Sequence, residues 1–186
     1  MARAGDELVH RFTGQRLIFR KTAADTGGAL LEVESLMPPG GPWPPAHYHP
    51  QQDERFEVLS GSLAVRSGDG ERTYAAGETI EIPRGLPHTM RNAGAGVARL
   101  RWETRPALAT ETFFETIYGL ARDGKTNQQG IPHLLQLAVI AREYRREFVP
   151  TRPPLPVQRV VFGLLAAIGR LRGYRGRYAR YSDAGS

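Results

Sequence analysis

Three of the five histidines in this chain fall at spacings that could do chemistry. His47 and His49 are separated by a single residue, Glu54 follows after four more, and His88 comes after a second glycine- and proline-rich stretch. In an extended strand, residues i and i+2 share a face, so His47 and His49 point the same way and Tyr48 the other. The stretch Pro50-Gln51-Gln52-Asp53 reads as a break, and a strand returning antiparallel after it places Glu54 across from the histidine pair. If the sheet closes on itself, His88 completes the group. Three imidazoles and a carboxylate suit one divalent ion such as iron, manganese, nickel, cobalt or zinc, with coordination positions left open for water, dioxygen or substrate. The chain has no cysteine. Thiolate ligands and disulfides are therefore excluded, and any metal site must use these donor types.

Residues 15 to about 105 supply the elements that would hold such a group. Gln15–Lys21, Leu30–Met37, Arg55–Leu59, Leu63–Arg66, Thr79–Pro83, His88–Asn92 and Val97–Thr104 are short runs rich in aliphatic, aromatic and β-branched residues. Turn-forming clusters punctuate them, and Ser67-Gly68-Asp69-Gly70 is the clearest hairpin. Many short strands at this spacing predict an antiparallel sandwich or barrel. After Pro106 the period changes. Glu111–Arg122, Ile131–Phe148 and Val157–Leu171 carry apolar residues at helical spacing, with Pro150, Pro153, Pro154 and Pro156 interrupting between the last two. The reading is a mainly β chain: a barrel over residues 1–106 and a helical extension over residues 107–186.

Two motifs then resemble a known family. Gly41, five residues, His47, one, His49, four, Glu54, six, Gly61 matches the first cupin motif; Gly77, five residues, Pro83, one, Gly85, two, His88, three, Asn92 matches the second. The resemblance covers roughly residues 30–104. It implies a jelly-roll β-barrel with His47, His49, Glu54 and His88 as metal ligands. The offset from Gly61 selects Glu54 over its neighbours Asp53 and Glu57, with Gln52 as an alternative or an extra pocket contact. The motif glycines 41, 61, 77 and 85 read as turn positions that permit positive φ, and Asn92 as a turn residue or an outer partner of the ligands. The resemblance names no reaction, because one fold hosts many.

Phe56, Val58, Met90, Leu100 and Trp102 share the inward phase of the ligands, which makes them barrel core first. Gln52, Phe56, Met90 and Trp102 are the candidates for the substrate pocket. Trp43, in the proline-rich loop, could cover the barrel mouth. His10 and His133 lie outside the motifs, and no catalytic acid or base is assigned. The expected function is an enzyme acting on a small organic molecule at the metal, by dioxygenase-type oxidation first and by isomerisation or cyclisation next. The alternative is a small-molecule-binding cupin or sensor without turnover.

The net charge of +6 is unevenly placed: residues 1–141 hold 15 basic and 16 acidic residues, whereas residues 142–180 hold ten arginines against Glu143 and Glu147. The longest apolar run, Val160–Gly169, has ten residues, about half of what a membrane-spanning helix needs. No apolar leader precedes the barrel, so a cytoplasmic location is expected. The helix Val157–Leu171 reads as apolar almost all round, which predicts packing on the barrel or in a homodimer. Contact with an anionic membrane surface is a weaker expectation. Nucleic-acid binding is not expected, since no recognition helix is visible.

Overall fold

The computed structural model describes residues 2–68 and 70–182. Its longest sheet has six strands: β1 (Glu7–Val9), β2 (Arg16–Lys21), β3 (Leu31–Met37), β5 (Asp53–Ser60), β8 (Thr79–Ile82) and β10 (Ala98–Arg105), in the order β1-β2-β3-β10-β5-β8. A second sheet, β7-β6-β9, is formed by β6 (Ser62–Ser67), β7 (Gly70–Ala75) and β9 (Thr89–Asn92). All paired strands are antiparallel. The inner faces of the two sheets merge in one apolar core that includes Phe19, Val33, Val58, Leu63, Val65, Ile80 and Leu100. Asp69 of the expected hairpin lies outside the described residues; its flanking strands pair with Ser67 opposite Gly70.

The alternation along β10 shows why these residues form strands. Ala98, Leu100, Trp102 and Thr104 are buried, while Arg99, Arg101 and Arg105 are exposed. Outside, the exposed side chains form a charge ladder, with Arg101 2.8 Å from Glu57, Arg20 2.7 Å from Glu34, and Arg99 paired to the same glutamate. Exposed pairs of this kind contribute about 0–1 kcal/mol each, so the apolar interior dominates. Between β5 and β6 the chain turns at Gly61 with φ +80°, where a Cβ would stand 2.9 Å from the Ala98 Cα. Glycine is required there twice over, for conformation and for space. Gly41, in contrast, has no positive φ and open space around it; the left-handed residue in that loop is its neighbour Gly40.

Helices follow the sheets: α1 (Thr110–Arg122), α2 (Leu134–Glu143), α3 (Leu155–Leu171) and the short α4 (Ala179–Ser182). The second helix is shorter than the expected span Ile131–Phe148. It begins after Pro132 at His133, whose ring accepts the Leu135 amide at 3.4 Å. It ends because Tyr144, 1% exposed, plunges into a cluster with Leu120, Ile140 and Tyr181. The chain then turns back towards the barrel, and Val149–Pro150 forms a strand, β11, antiparallel to β4 (His47–Tyr48). The helical extension thus returns to the strand that carries the first histidine.

Candidate metal centre

Glu54 owes its place to alternation along β5. Glu54, Phe56 and Val58 point inward, and Asp53, Arg55 and Glu57 point outward. The two acidic neighbours are occupied elsewhere: Asp53 accepts the Arg84 amide at 2.8 Å, and Glu57 pairs with Arg101. His47 and His88 exchange backbone hydrogen bonds of 3.0 and 2.8 Å, a bridge that joins β4 to the start of β9. The turn before His88 uses Gly85 at φ +80°, whose amide donates to the His49 carbonyl at 2.9 Å. Backbone pairing therefore sets His47, His49 and His88 against one another before their side chains are considered.

The rings converge. Their possible ligand atoms all lie within 4.8 Å of one another. Glu54 stands outside that mutual set, but its Oε2 lies 3.0 Å from His49 Nε2 and 3.2 Å from His88 Nε2. Each ring spends its Nδ1 on a backbone carbonyl: Pro45 for His47 at 3.2 Å, Glu147 for His49 at 2.5 Å, and Leu86 for His88 at 3.0 Å. A carbonyl only accepts, so these contacts place the proton on Nδ1 and leave the Nε2 lone pair free for a ligand. The Nε2 atoms of His49 and His88 and the Oε2 of Glu54 are buried without a hydrogen-bond partner. Buried polar atoms left in this way are costly, and a divalent cation between them would satisfy all three. The residues present therefore fit a metal ion.

Electrostatics make His47 a neutral donor and couple His49 to Glu54, where a bound cation would take the place of a shared proton. Burial, helped by the nearby His88 and His49, pushes His47 down to about 3, so it is a neutral donor at neutral pH. Burial works against charge on Glu54, yet the flanking imidazoles of His49 and His88 outweigh it and hold the carboxyl down at about 2. Burial also opposes a charged His49, but the Glu54 carboxylate raises its pKa overall. The other Glu54 oxygen accepts the Trp102 indole N–H at 2.9 Å, which orients the carboxylate and leaves Oε2 towards the imidazoles.

The group lies in a cavity of about 230 Å³. Of the sequence-predicted pocket residues, Gln52, Phe56, Met90 and Trp102 all line it, as does Leu100. Gln52 is 1% exposed, and its amide donates to the Pro106 and Ala107 carbonyls and to Thr110 Oγ1, which splices the barrel to the first helix. Trp43 stays outside the cavity lining; Arg66 and Arg91 stack on its ring at 3.9 and 4.8 Å. Asn92 holds its own turn, donating to the Met37 and Gly96 carbonyls.

The sequence reading missed one wall. Thr110, Phe113, Phe114, Glu147 and Phe148 also line the cavity, all from the helical extension. Phe148 stacks on His47 with ring centroids 4.5 Å apart, and on Phe113 at 5.5 Å. Glu147 accepts His49 through its backbone and the Ala109 amide through Oε1 at 3.2 Å; its Oε2 is buried and unpartnered. A backbone carbonyl leaves no signature in a side-chain pattern, so no sequence signal marked Glu147.

Residues 33–102 match the family model of the cupin domain. The barrel is a cupin domain. Among curated proteins, the chain is 30% identical over 118 residues to oxalate oxidase 1 of Hordeum vulgare, covering 50% of this chain and 57% of that one. It is 31% identical over 99 residues to the tetracenomycin polyketide synthase protein TcmJ of Streptomyces glaucescens, covering 52% and 64%. The chain thus spans less than two thirds of either relative. Among solved structures, the cupin is similar to a Lactobacillus farciminis oxalate decarboxylase formate complex, with 16% identity, a TM-score of 0.47, and 55% and 31% of the two chains covered. It is also similar to a sugar phosphate isomerase of the cupin superfamily from Silicibacter pomeroyi, with 21% identity, a TM-score of 0.45, and 54% and 70% covered. The family match ends at residue 102, before the helical wall begins.

Proposed function

We propose that this cupin is a metal-dependent enzyme that oxidises a small, largely apolar organic molecule, with His47, His49, His88 and Glu54 holding one divalent ion. The observation that carries this reading is the set of unpartnered Nε2 and carboxylate atoms turned into an apolar cavity. The ion would supply Lewis acidity and, if redox-active, electron exchange with dioxygen. Phe56, Met90, Leu100, Phe113, Phe114 and Phe148 exclude water and grip an apolar or aromatic body. Gln15, Ser35 and Glu147 offer the few polar contacts that could orient a hydroxyl or carbonyl group.

The nature of the walls separates the two curated relatives as guides. Among the described residues, no lysine or arginine lines the cavity, so a dianion such as oxalate would lack a counter-charge beyond the ion itself. An aromatic molecule of the polyketide type fits the lining better. Isomerisation or cyclisation without net oxidation is the second reading, favoured by the free Oε2 of Glu147, a group positioned to exchange a proton with bound substrate. Screening the iron- or manganese-loaded protein against aromatic phenols and small carboxylates, with an oxygen electrode and absorbance in parallel, tests both. Oxygen uptake with phenols supports oxidation; a spectral change that persists without oxygen supports isomerisation. Metal binding without turnover of any of them would leave a binding protein.

A further inference from the structure

The last long helix is amphipathic in an inverted sense. Its small residues face inward: Ala166 is 1% exposed, and Gly169 sits so close to α2 that a Cβ would stand 2.9 Å from the Leu135 carbonyl oxygen and from Val139. Phe162 and Leu165 pack beside them, but most of its large residues face outward. Val157, Val160, Val161, Leu164, Ile168 and Leu171 are between 39% and 90% exposed, and their spacing sets them in one continuous stripe along the helix. The helix, apolar almost all round in sequence, thus packs against α2 by one side and leaves this stripe uncovered in the single chain. The small residues, with Phe162 and Leu165, seat it on α2 along one seam, and the six exposed side chains lie beyond that seam. Isolated exposed apolar residues are ordinary, but six in one stripe mark a contact surface.

The charge beside the stripe selects the occupant. Arg172 adjoins the C-terminal end of the stripe, Arg159 and Arg170 lie together further round the helix from its other edge, all three are exposed, and none forms an ion pair among the described residues. Between Glu147 and Asp183 the chain carries seven arginines and no acidic residue. Two copies stacked on this face would bring two sets of these arginines together, and residues 148–182 offer no acid to answer them. A surface of anionic headgroups answers both features at once, taking the apolar side chains into the headgroup boundary and the guanidinium groups at phosphate level. Among the described residues no helix is long and apolar enough to cross a membrane, so the contact would lie in the plane of the surface.

We propose that the exposed face of α3 docks onto an anionic lipid surface. Full-length protein should co-sediment with vesicles of phosphatidylglycerol and phosphatidylcholine, and far less with phosphatidylcholine alone. Raising the salt should weaken the association. Leu164→Glu, at a position 65% exposed, should abolish it without changing the melting temperature or the bound metal. Arg159→Gln and Arg170→Gln should each lower the partition about fivefold. Absence of sedimentation with the anionic vesicles overturns the proposal, as does equal binding to both vesicle types. Light scattering on the same samples reads the competing occupant: a dimer that Leu164→Glu dissolves, with no vesicle binding by the wild type, would assign the stripe to a second copy.

Discussion

Residues 47–88 and residues 109–150 face each other across one cavity, and they contribute different kinds of atom. The barrel side provides the candidate donors, three imidazoles and a carboxylate set by strand pairing. The helical side provides a main-chain carbonyl that orients His49, a ring stacked on His47 and most of the aromatic wall. Donor identity is a matter of side-chain chemistry. The orientation of His49 and the exclusion of water depend on a segment outside the family match, whereas Pro45, Leu86 and Trp102 orient the other three groups from within it. The comparison suggests that metal affinity belongs mainly to the barrel, and that the size and polarity of the substrate belong mainly to the extension.

The largest expected effect tests the barrel side. Replacing His88 or His47 by alanine should weaken metal binding by more than about a hundredfold, since even outer partners of a ligand are worth about 10–100-fold. The barrel core should stay folded. Metal content equal to wild type in both variants, measured by elemental analysis after purification, would remove these residues from the site. Glu54→Gln keeps the shape and removes the charge, so affinity should fall and the preference among metals shift. Unchanged titrations with manganese and zinc would show that the carboxylate takes no part.

The next test weighs orientation against donation. Trp102→Phe keeps the aromatic bulk beside Phe56 but frees Glu54 Oε1 from its 2.9 Å hydrogen bond. Loss of a buried bond to a charged group costs about 1.5–3 kcal/mol, and metal affinity should drop by about tenfold. A drop as large as that of a histidine variant would mean that Trp102 matters as much as a ligand, and the distinction between donors and orienting groups would fail.

Phe148→Ala tests the helical wall. It should open the cavity beside His47 and lower stability by about 1–3 kcal/mol, less than a fully buried phenylalanine because Phe148 is only partly buried. Metal affinity should change by less than in Trp102→Phe, while the range of accepted small aromatic ligands widens. Denaturant melts and ligand titrations on the metal-loaded protein read both quantities. The smallest effect on the centre should come from removing residues 157–186. That deletion uncovers Ala138 and Val139, now fully buried against the last long helix, and strips Tyr181 from α1. The melting temperature should fall, yet metal should remain, because no cavity-lining residue is lost. Loss of the metal with this deletion would show that the outer helices support the centre.

The pattern of residues was enough to determine the barrel and to mark the candidate donors. Inward phase along β5 and β10 is a period-two signal carried by side chains, so Glu54, Phe56, Leu100 and Trp102 could be ordered by alternation alone. The histidine spacing carried the site for the same reason, since His47 and His49 must share a face of any extended strand. Only the tertiary structure decided what closes the cavity. The carbonyl of Glu147 meets His49 across 98 positions of sequence, and a backbone carbonyl is the same group in every residue, so nothing local marks it. The last helix taught the converse lesson. Its apolar residues were plain in the sequence, but which of them face protein depends on where Ala166 and Gly169 allow a neighbouring helix to approach. That choice is made by steric fit between two helices rather than by the hydrophobicity of either.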